Sequence, residues 1–394
     1  MTQQLTTRQS NVCTHAAPLL IVALLLPATG TAADAPNLER QLVSDAADGK
    51  LDDWSLLEAS LIASGCTDKT ALAIYQKRFV RTLNRLHSQL PDQPKSSRRV
   101  LQQLHTTWLT GRFKNHCNDM RVTLQSGDYN CVTSTTLFLC LTQHWGMNCH
   151  AMSRPKHVFA ATNHDEWIET TNPRAKAKTI ASRKLTNVQL LAKFFYNRGI
   201  SAYHQKSFAE AQRLFTISRK LDPMDPLATQ NLLASYNAAA LENCDEERFE
   251  LALDEITKGL SLNSKHPALI SNDLHIRHQW SLHLVKKNKF KRAIQIIQQA
   301  RTSQQNEFRS RALLILYRDW LTHELIGNQW EQAKEVIRSG RRQLGSNGQY
   351  KQVERRAIQA AINLLKRSGR QSQATQLIQK IESHLGSSWK SPTL

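Results

Sequence analysis

A thiol, an imidazole and a carboxylate fall within one stretch of this chain. Residues 126–173 read SGDYNCVTSTTLFLCLTQHWGMNCHAMSRPKHVFAATNHDEWIETTNP. The spacing predicts a turn at Gly127-Asp128 and a helix from about Asn130 to Trp145, stopped by Gly146. Short strands are predicted over 147–153, 157–162 and 166–171. Cys131 then occupies the first turn of a buried helix. There, unpaired backbone N–H groups and the positive end of the helix dipole favour the nucleophilic thiolate. His157 opens the second strand and Glu169 lies near the end of the third. A three-residue loop (Thr162, Asn163, His164) pairs Ala161 with Asp165 and sets His157 opposite Glu169 on one sheet face. A two-residue loop pairs His157 with Thr170 instead. In the first register Glu169 orients and charge-stabilises the imidazole, and His157 takes the proton from Cys131. That is the Cys-His-carboxylate logic of acyl transfer.

Such chemistry needs an oxyanion donor besides the backbone N–H of Cys131. Gln125, Asn130 and His105 are the nearby polar side chains, and the sequence does not choose among them. His144, Cys149, His150 and His164 match no closed zinc spacing, so neither a metal site nor a cofactor is expected. Glycine is too sparse for a phosphate-cradling loop. Cys140, Trp145 and Trp167 read as core residues. Cys66 and Cys117 flank the helical region, and a bridge between them is one reading.

The elements that must position these groups are mostly helices. LDDWSLLEASLIASG, KTALAIYQKRFVRTLNRLHSQL and SRRVLQQLHTTWLTGRF, all within residues 37–115, carry apolar spacings of three and four. After a basic, polar stretch, a repeat begins near Phe194. A small residue recurs as Ala211, Ala252, Ala293, Ala333 and Ala374. Three residues earlier stand Phe208, Phe249, Phe290, Trp330 and, as the exception, Gln371. Four residues later stand Phe215, Ile256, Ile297, Ile337 and Ile378. A fixed period of about 41 is the signature of stacked helical hairpins. Five hairpins are expected, in a short solenoid whose concave face binds a protein or peptide.

Charge is uneven. The chain of 394 residues carries 52 Lys+Arg against 32 Asp+Glu. Residues 34–190 hold 20 basic and 14 acidic side chains, residues 191–273 hold 9 and 11, and residues 274–394 hold 22 and 7. The basic last third includes Lys286, Lys287, Lys289, Lys291 and Arg292, a field that attracts an anionic surface. Nucleic acid is the least expected such partner for an exported protein. Export is read from residues 1–33: a polar start, the apolar run AAPLLIVALLLP over 16–27, then small residues up to Ala33. The run is shorter than the roughly 20 residues a span requires, so no transmembrane span is expected in the mature chain.

Cysteine on a buried helix, with histidine and an acid on successive strands, resembles the transglutaminase-like (papain-like cysteine peptidase) superfamily. GDYNCVTSTTLFLCLTQHWG, RPKHVFAATN and EWIETTNP carry the resemblance. FFYNRGISAYHQKSFAEAQRLFTISRKLDPMDP resembles the tetratricopeptide repeat, with Gly199, Phe208, Ala211, Phe215 and Pro223 at that family's offsets and a period longer than its usual 34. The pairing of two such domains resembles a group of exported bacterial proteins. The fold class implied is an α+β transglutaminase-like domain over 34–175, a linker over 176–190 and an all-α tetratricopeptide-like helical solenoid over 191–388. The implied triad is Cys131 as nucleophile, His157 as base and Glu169 as orienting acid. The superfamily usually has Asp at the third place, one methylene shorter. The implied function is an exported, periplasmic or extracytoplasmic thiol acyltransferase or amide hydrolase. The alternative is an inactive domain of the same fold that serves with its repeats as a scaffold.

Overall fold

A computed structural model describes residues 37–89, 96–164, 166–175, 181–300, 306–345 and 348–385. The stretch read as an export signal, 1–33, and residues 176–180 of the stretch read as a linker lie outside the described residues.

The N-terminal region is built from six helices and one small sheet. The helices are α1 (Asn37–Asp45), α2 (Leu56–Ala63), α3 (Lys69–Gln89), α4 (Ser97–Thr107), α5 (Met120–Ser126) and α6 (Cys131–His144). Ser55 and Glu58 close a capping box on α2, satisfying two first-turn donors reciprocally. Helix α6 is buried all round, from Val132 to Thr142. Its hydroxyls therefore need partners. Thr136 Oγ1 donates to the Val132 carbonyl at 2.8 Å and Thr142 Oγ1 to the Leu139 carbonyl at 3.1 Å.

The sheet runs β3-β2-β1-β4, all antiparallel. Its strands are β1 (Cys149–Arg154), β2 (His157–Thr162), β3 (Trp167–Ile168) and β4 (Arg183–Leu185). Pro155 and Lys156 make a two-residue turn that pairs Arg154 with His157, and Lys156 takes a left-handed φ of 61°. Helix α6 packs on β1 and β2, with α2 and α4 on its other sides. Within the stretch 176–190, residues 183–185 form the edge strand β4, and Asn187 already begins the next helix.

Five antiparallel helix pairs follow: α7 (Asn187–His204) with α8 (Phe208–Leu221), α9 (Pro226–Asp245) with α10 (Phe249–Leu262), α11 (Pro267–Lys286) with α12 (Phe290–Gln298), α13 (Asn306–Ile326) with α14 (Trp330–Leu344), and α15 (Gly348–Arg367) with α16 (Gln371–Leu385). The recurring aromatics Phe208, Phe249, Phe290 and Trp330, and Gln371 in the fifth unit, are the first residues of the second helices. The recurring alanines are buried at every copy. In the first pair a Cβ on Gly199 would lie 2.7 Å from the Phe215 ring, so the two helices approach too closely for a side chain there. The long period comes from long first helices, 20 or 21 residues in the second to fifth pairs.

All five inner turns close in one way. Lys206, Glu247, Asn288, Asn328 and Gly369 take left-handed φ between 55° and 73°. The next residue in each case donates its N–H five residues back, as Ser207 to the Ala202 carbonyl at 2.9 Å and Arg248 to Asn243 at 2.8 Å. This is the Schellman closure, here with a glycine in only the last copy.

The first helix pair is not a separate body. One hydrophobic core runs from Leu38 through the sheet to Leu232, and a second runs from Leu233 to Ile381. Two buried ion-pair clusters tie the regions together. Glu39 of α1 pairs with Arg198 of α7 at 2.8 Å and with Arg213 of α8. Asp222, fully buried at the end of α8, takes both guanidinium nitrogens of Arg183 in β4 at 3.0 and 2.5 Å.

Candidate functional site

Asn130 sets up the nucleophile position. Its backbone is extended and its side-chain oxygen accepts the N–H groups of Val132 and Thr133, both at 2.9 Å. Thr133 Oγ1 accepts the N–H of Asn130 in return at 3.0 Å. The cap thus engages the two amides after Cys131 and not that of Cys131 itself. Cys131 is the first helical residue and is half-buried.

The structure brings Cys131, His157 and Glu169 together. His157 Nε2 lies 2.8 Å from Glu169 Oε2, and Cys131 acts on the same imidazole. The hydrogen bond with Cys131, then that with Glu169, hold the imidazolium against the opposing pull of burial, and His157 is raised to about 9. Burial pushes the Glu169 carboxyl up, but hydrogen bonds from His157 and Thr171 outweigh it, and the group ends below its ordinary range. The imidazole also stacks on Phe159, with ring centroids 6.0 Å apart and planes 18° from parallel.

The strand register differs from the expected one. Ala161 pairs with Trp167 rather than with residue 165. The Thr162 hydroxyl accepts the N–H groups of His164 and Glu166 at 3.3 and 3.2 Å, and Thr162 N–H donates to the Glu166 carbonyl at 3.0 Å. Thr162 therefore belongs to the strand and not to the loop. The slip is two residues, so it keeps every side chain on its face. The ladder ends at Ile168; Glu169 follows directly, opens a turn closed by the Asn172 N–H on its carbonyl at 3.4 Å, and reaches His157 with its carboxylate.

The oxyanion options of the sequence are each otherwise engaged. Asn130 Nδ2 donates to Asn118 Oδ1 at 2.8 Å, and Gln125 Nε2 donates to the Tyr75 hydroxyl at 2.6 Å. His105 Nε2 donates to the Thr170 carbonyl at 3.0 Å, with burial favouring the neutral ring. The backbone N–H of Cys131 is the donor that the site itself offers.

The Cys66–Cys117 bridge is absent. Both thiols are free and buried, and each has its own acceptor: the Asp68 carbonyl at 3.7 Å and the Asp128 carbonyl at 3.2 Å. Burial pushes five of the thiols up, those of Cys66, Cys117, Cys149, Cys244 and Cys140, the last to about 12. Among the described residues no three His, Cys, Asp or Glu side chains gather as a metal site. No described helix is long and apolar enough to cross a membrane.

Several supporting residues carry no strong signal in the sequence. Thr170 Oγ1 lies 2.8 Å from Thr135 Oγ1 and 3.0 Å from Ser134 Oγ, joining α6 to the segment after β3. Thr171 N–H and Oγ1 donate to Glu169 Oε1 at 3.2 and 2.6 Å. Tyr129 OH donates to the Thr171 carbonyl at 3.2 Å.

No protein-family model matches the chain, and no curated protein matches it. Among solved structures it is similar to one described as a functional characterisation of pilF from Pseudomonas aeruginosa. The identity is 16% and the TM-score 0.18, over 51% of this chain and 96% of that one.

Proposed function

We propose that this chain is a thiol-dependent acyltransferase or amide hydrolase of transglutaminase-like (papain-like cysteine peptidase) type, exported to the periplasm or another extracytoplasmic space. Cys131 is the nucleophile, His157 the base and Glu169 the orienting acid. The tetratricopeptide-like repeats recruit a protein or peptide partner. The observation that carries the reading is the His157–Glu169 pair at 2.8 Å, with Cys131 acting on the same imidazole.

The reaction follows from that arrangement. The thiol proton passes to His157 and the sulfur attacks an amide or ester carbonyl carbon. The oxyanion forms beside the N–H of Cys131. The carbon–nitrogen bond then breaks as His157 returns the proton to the departing amine, leaving a thioester. Water or a second amine attacks the thioester and gives up its proton through His157, restoring the thiol. Glu169 fixes the imidazole and stabilises its charge without taking the proton. The exposed Lys286, Lys287, Lys289, Lys291 and Arg292, around the turn between α11 and α12, suit an anionic partner surface.

The test is acylation by p-nitrophenyl acetate, quenched in acid and read by mass spectrometry. An acetyl group on Cys131 that is lost in Cys131→Ser, and that forms about a thousandfold more slowly in His157→Ala, supports the reading. A folded protein that acquires no acyl group on Cys131 refutes it and leaves the inactive, repeat-bearing scaffold.

A further inference from the structure

We propose that Thr171 is a positioning residue of the triad: its hydroxyl and N–H grip the second oxygen of Glu169 and so aim the first at His157. The proposal rests on the catalytic reading above and goes beyond it. A glutamate side chain has one more rotatable bond than an aspartate, and an unheld carboxylate spreads over several rotamers. Here both oxygens are committed. Oε2 meets the imidazole at 2.8 Å, and Oε1 receives the Thr171 N–H at 3.2 Å and its hydroxyl at 2.6 Å. A hydroxyl donating to an ionised oxygen at that distance is a charge-assisted bond, among the stronger hydrogen bonds a protein makes.

The backbone explains why Thr171 and no other residue plays this part. Directly after β3 the chain makes a turn, closed by the Asn172 N–H donating to the Glu169 carbonyl at 3.4 Å, with Thr170 and Thr171 at its two central positions. The turn brings the N–H and hydroxyl of Thr171 back onto Oε1 of Glu169. The hydroxyl of Thr170 meets Ser134 and Thr135 of α6 instead. Neighbouring threonines thus do different jobs: Thr170 docks the segment onto the nucleophile helix, and Thr171 holds the acid. The carbonyl of Thr171 is itself held by the Tyr129 hydroxyl, two residues before Cys131. The path from Cys131 through Tyr129, Thr171, Glu169 and His157 returns to Cys131, so an error in any member is felt at the sulfur. Cys131 and Glu169 face the imidazole as titrating groups. The guanidinium carbon of Arg154 lies 5.6 Å from the ring centroid of Phe159, on which the imidazole stacks.

The experiment compares iodoacetamide alkylation of Cys131 in the full chain and in Thr171→Val, Thr171→Ser and His157→Ala, across pH 6 to 10. Sulfur displaces iodide, and the carbamidomethyl peptide is counted by mass spectrometry. T171V keeps the N–H and the shape but removes the hydroxyl. Its expected rate at pH 7 is about tenfold below the parent, from the size of a hydrogen bond to a charged group. The inflection that His157 imposes near pH 9 moves down with it. T171S, which restores the hydroxyl, returns within about twofold of the parent. Should T171V not fold, T171A makes the same comparison. Parental rates in T171V, or a loss in T171S equal to that in T171V, overturn the proposal. Parental rates in His157→Ala refute the thiol–imidazole pair itself, a failure separate from slow His157→Ala beside parental T171V.

Discussion

The solenoid and the site region solve opposite problems with the same kind of chain. The solenoid repeats one local rule five times: a small residue in the second helix, in most units an aromatic to open it, and a left-handed residue to close the turn before it. The site is written once, in residues from α6, β2 and the segment after β3. It closes only when a cap, a register and a pair of threonines agree. A repeated rule tolerates weak copies, as Gln371 shows in place of an aromatic. A constellation written once has no second copy to compensate.

The largest test of this contrast lies where the two regions join. Glu39 is buried between Arg198 and Arg213. Glu39→Ala leaves two guanidinium groups short of a partner, with an expected loss of about 3 kcal/mol in urea unfolding. A loss confined to the repeats, with acylation unchanged, would show the joint to be dispensable for the site. Within the solenoid, a Cβ on Gly340 would sit 1.8 Å from the Tyr350 hydroxyl. Gly340→Ala should cost about 1–3 kcal/mol by overpacking and leave the rate of acyl transfer alone.

A smaller effect is read from pH. His157 titrates near 9 in the folded chain and near its ordinary 6.5 when unfolded. The stability it contributes is fully present below pH 6.5 and is lost as pH rises through about 9. The gap in melting temperature between the parent and His157→Gln should therefore close over that window. A gap constant from pH 6 to 10 contradicts the charged pair. Smallest is Lys206→Gly, which relieves a left-handed φ of 59°. It should gain about 0.5–1 kcal/mol in the same urea experiment.

The repeat was the more legible region because its signal recurs. Chance does not keep alanines in step over five hairpins and aromatics over four of them. The turn residues are silent in the sequence because Lys206, Glu247, Asn288, Asn328 and Gly369 share a conformation and not a chemistry. In the site, parity was readable, since alternation puts His157 and Glu169 on one face whichever even register holds. The register itself was not, because a hydroxyl of Thr162 set the loop. Strand β4 is three residues in a basic stretch, and the buried carboxylate that anchors it, Asp222, lies 39 residues from Arg183. The fate of Cys66 and Cys117 depended on carbonyl acceptors that no cysteine count reveals.

The central claim is that His157 activates Cys131, and competitive alkylation tests it most directly. A limiting amount of iodoacetamide is added to the folded protein near neutral pH, and the label on each cysteine is counted. The account predicts that Cys131 reacts ahead of Cys66, Cys117, Cys140, Cys149 and Cys244, and that this lead collapses in His157→Ala. Labelling of Cys131 no faster than its neighbours, or equally fast without the imidazole, contradicts it.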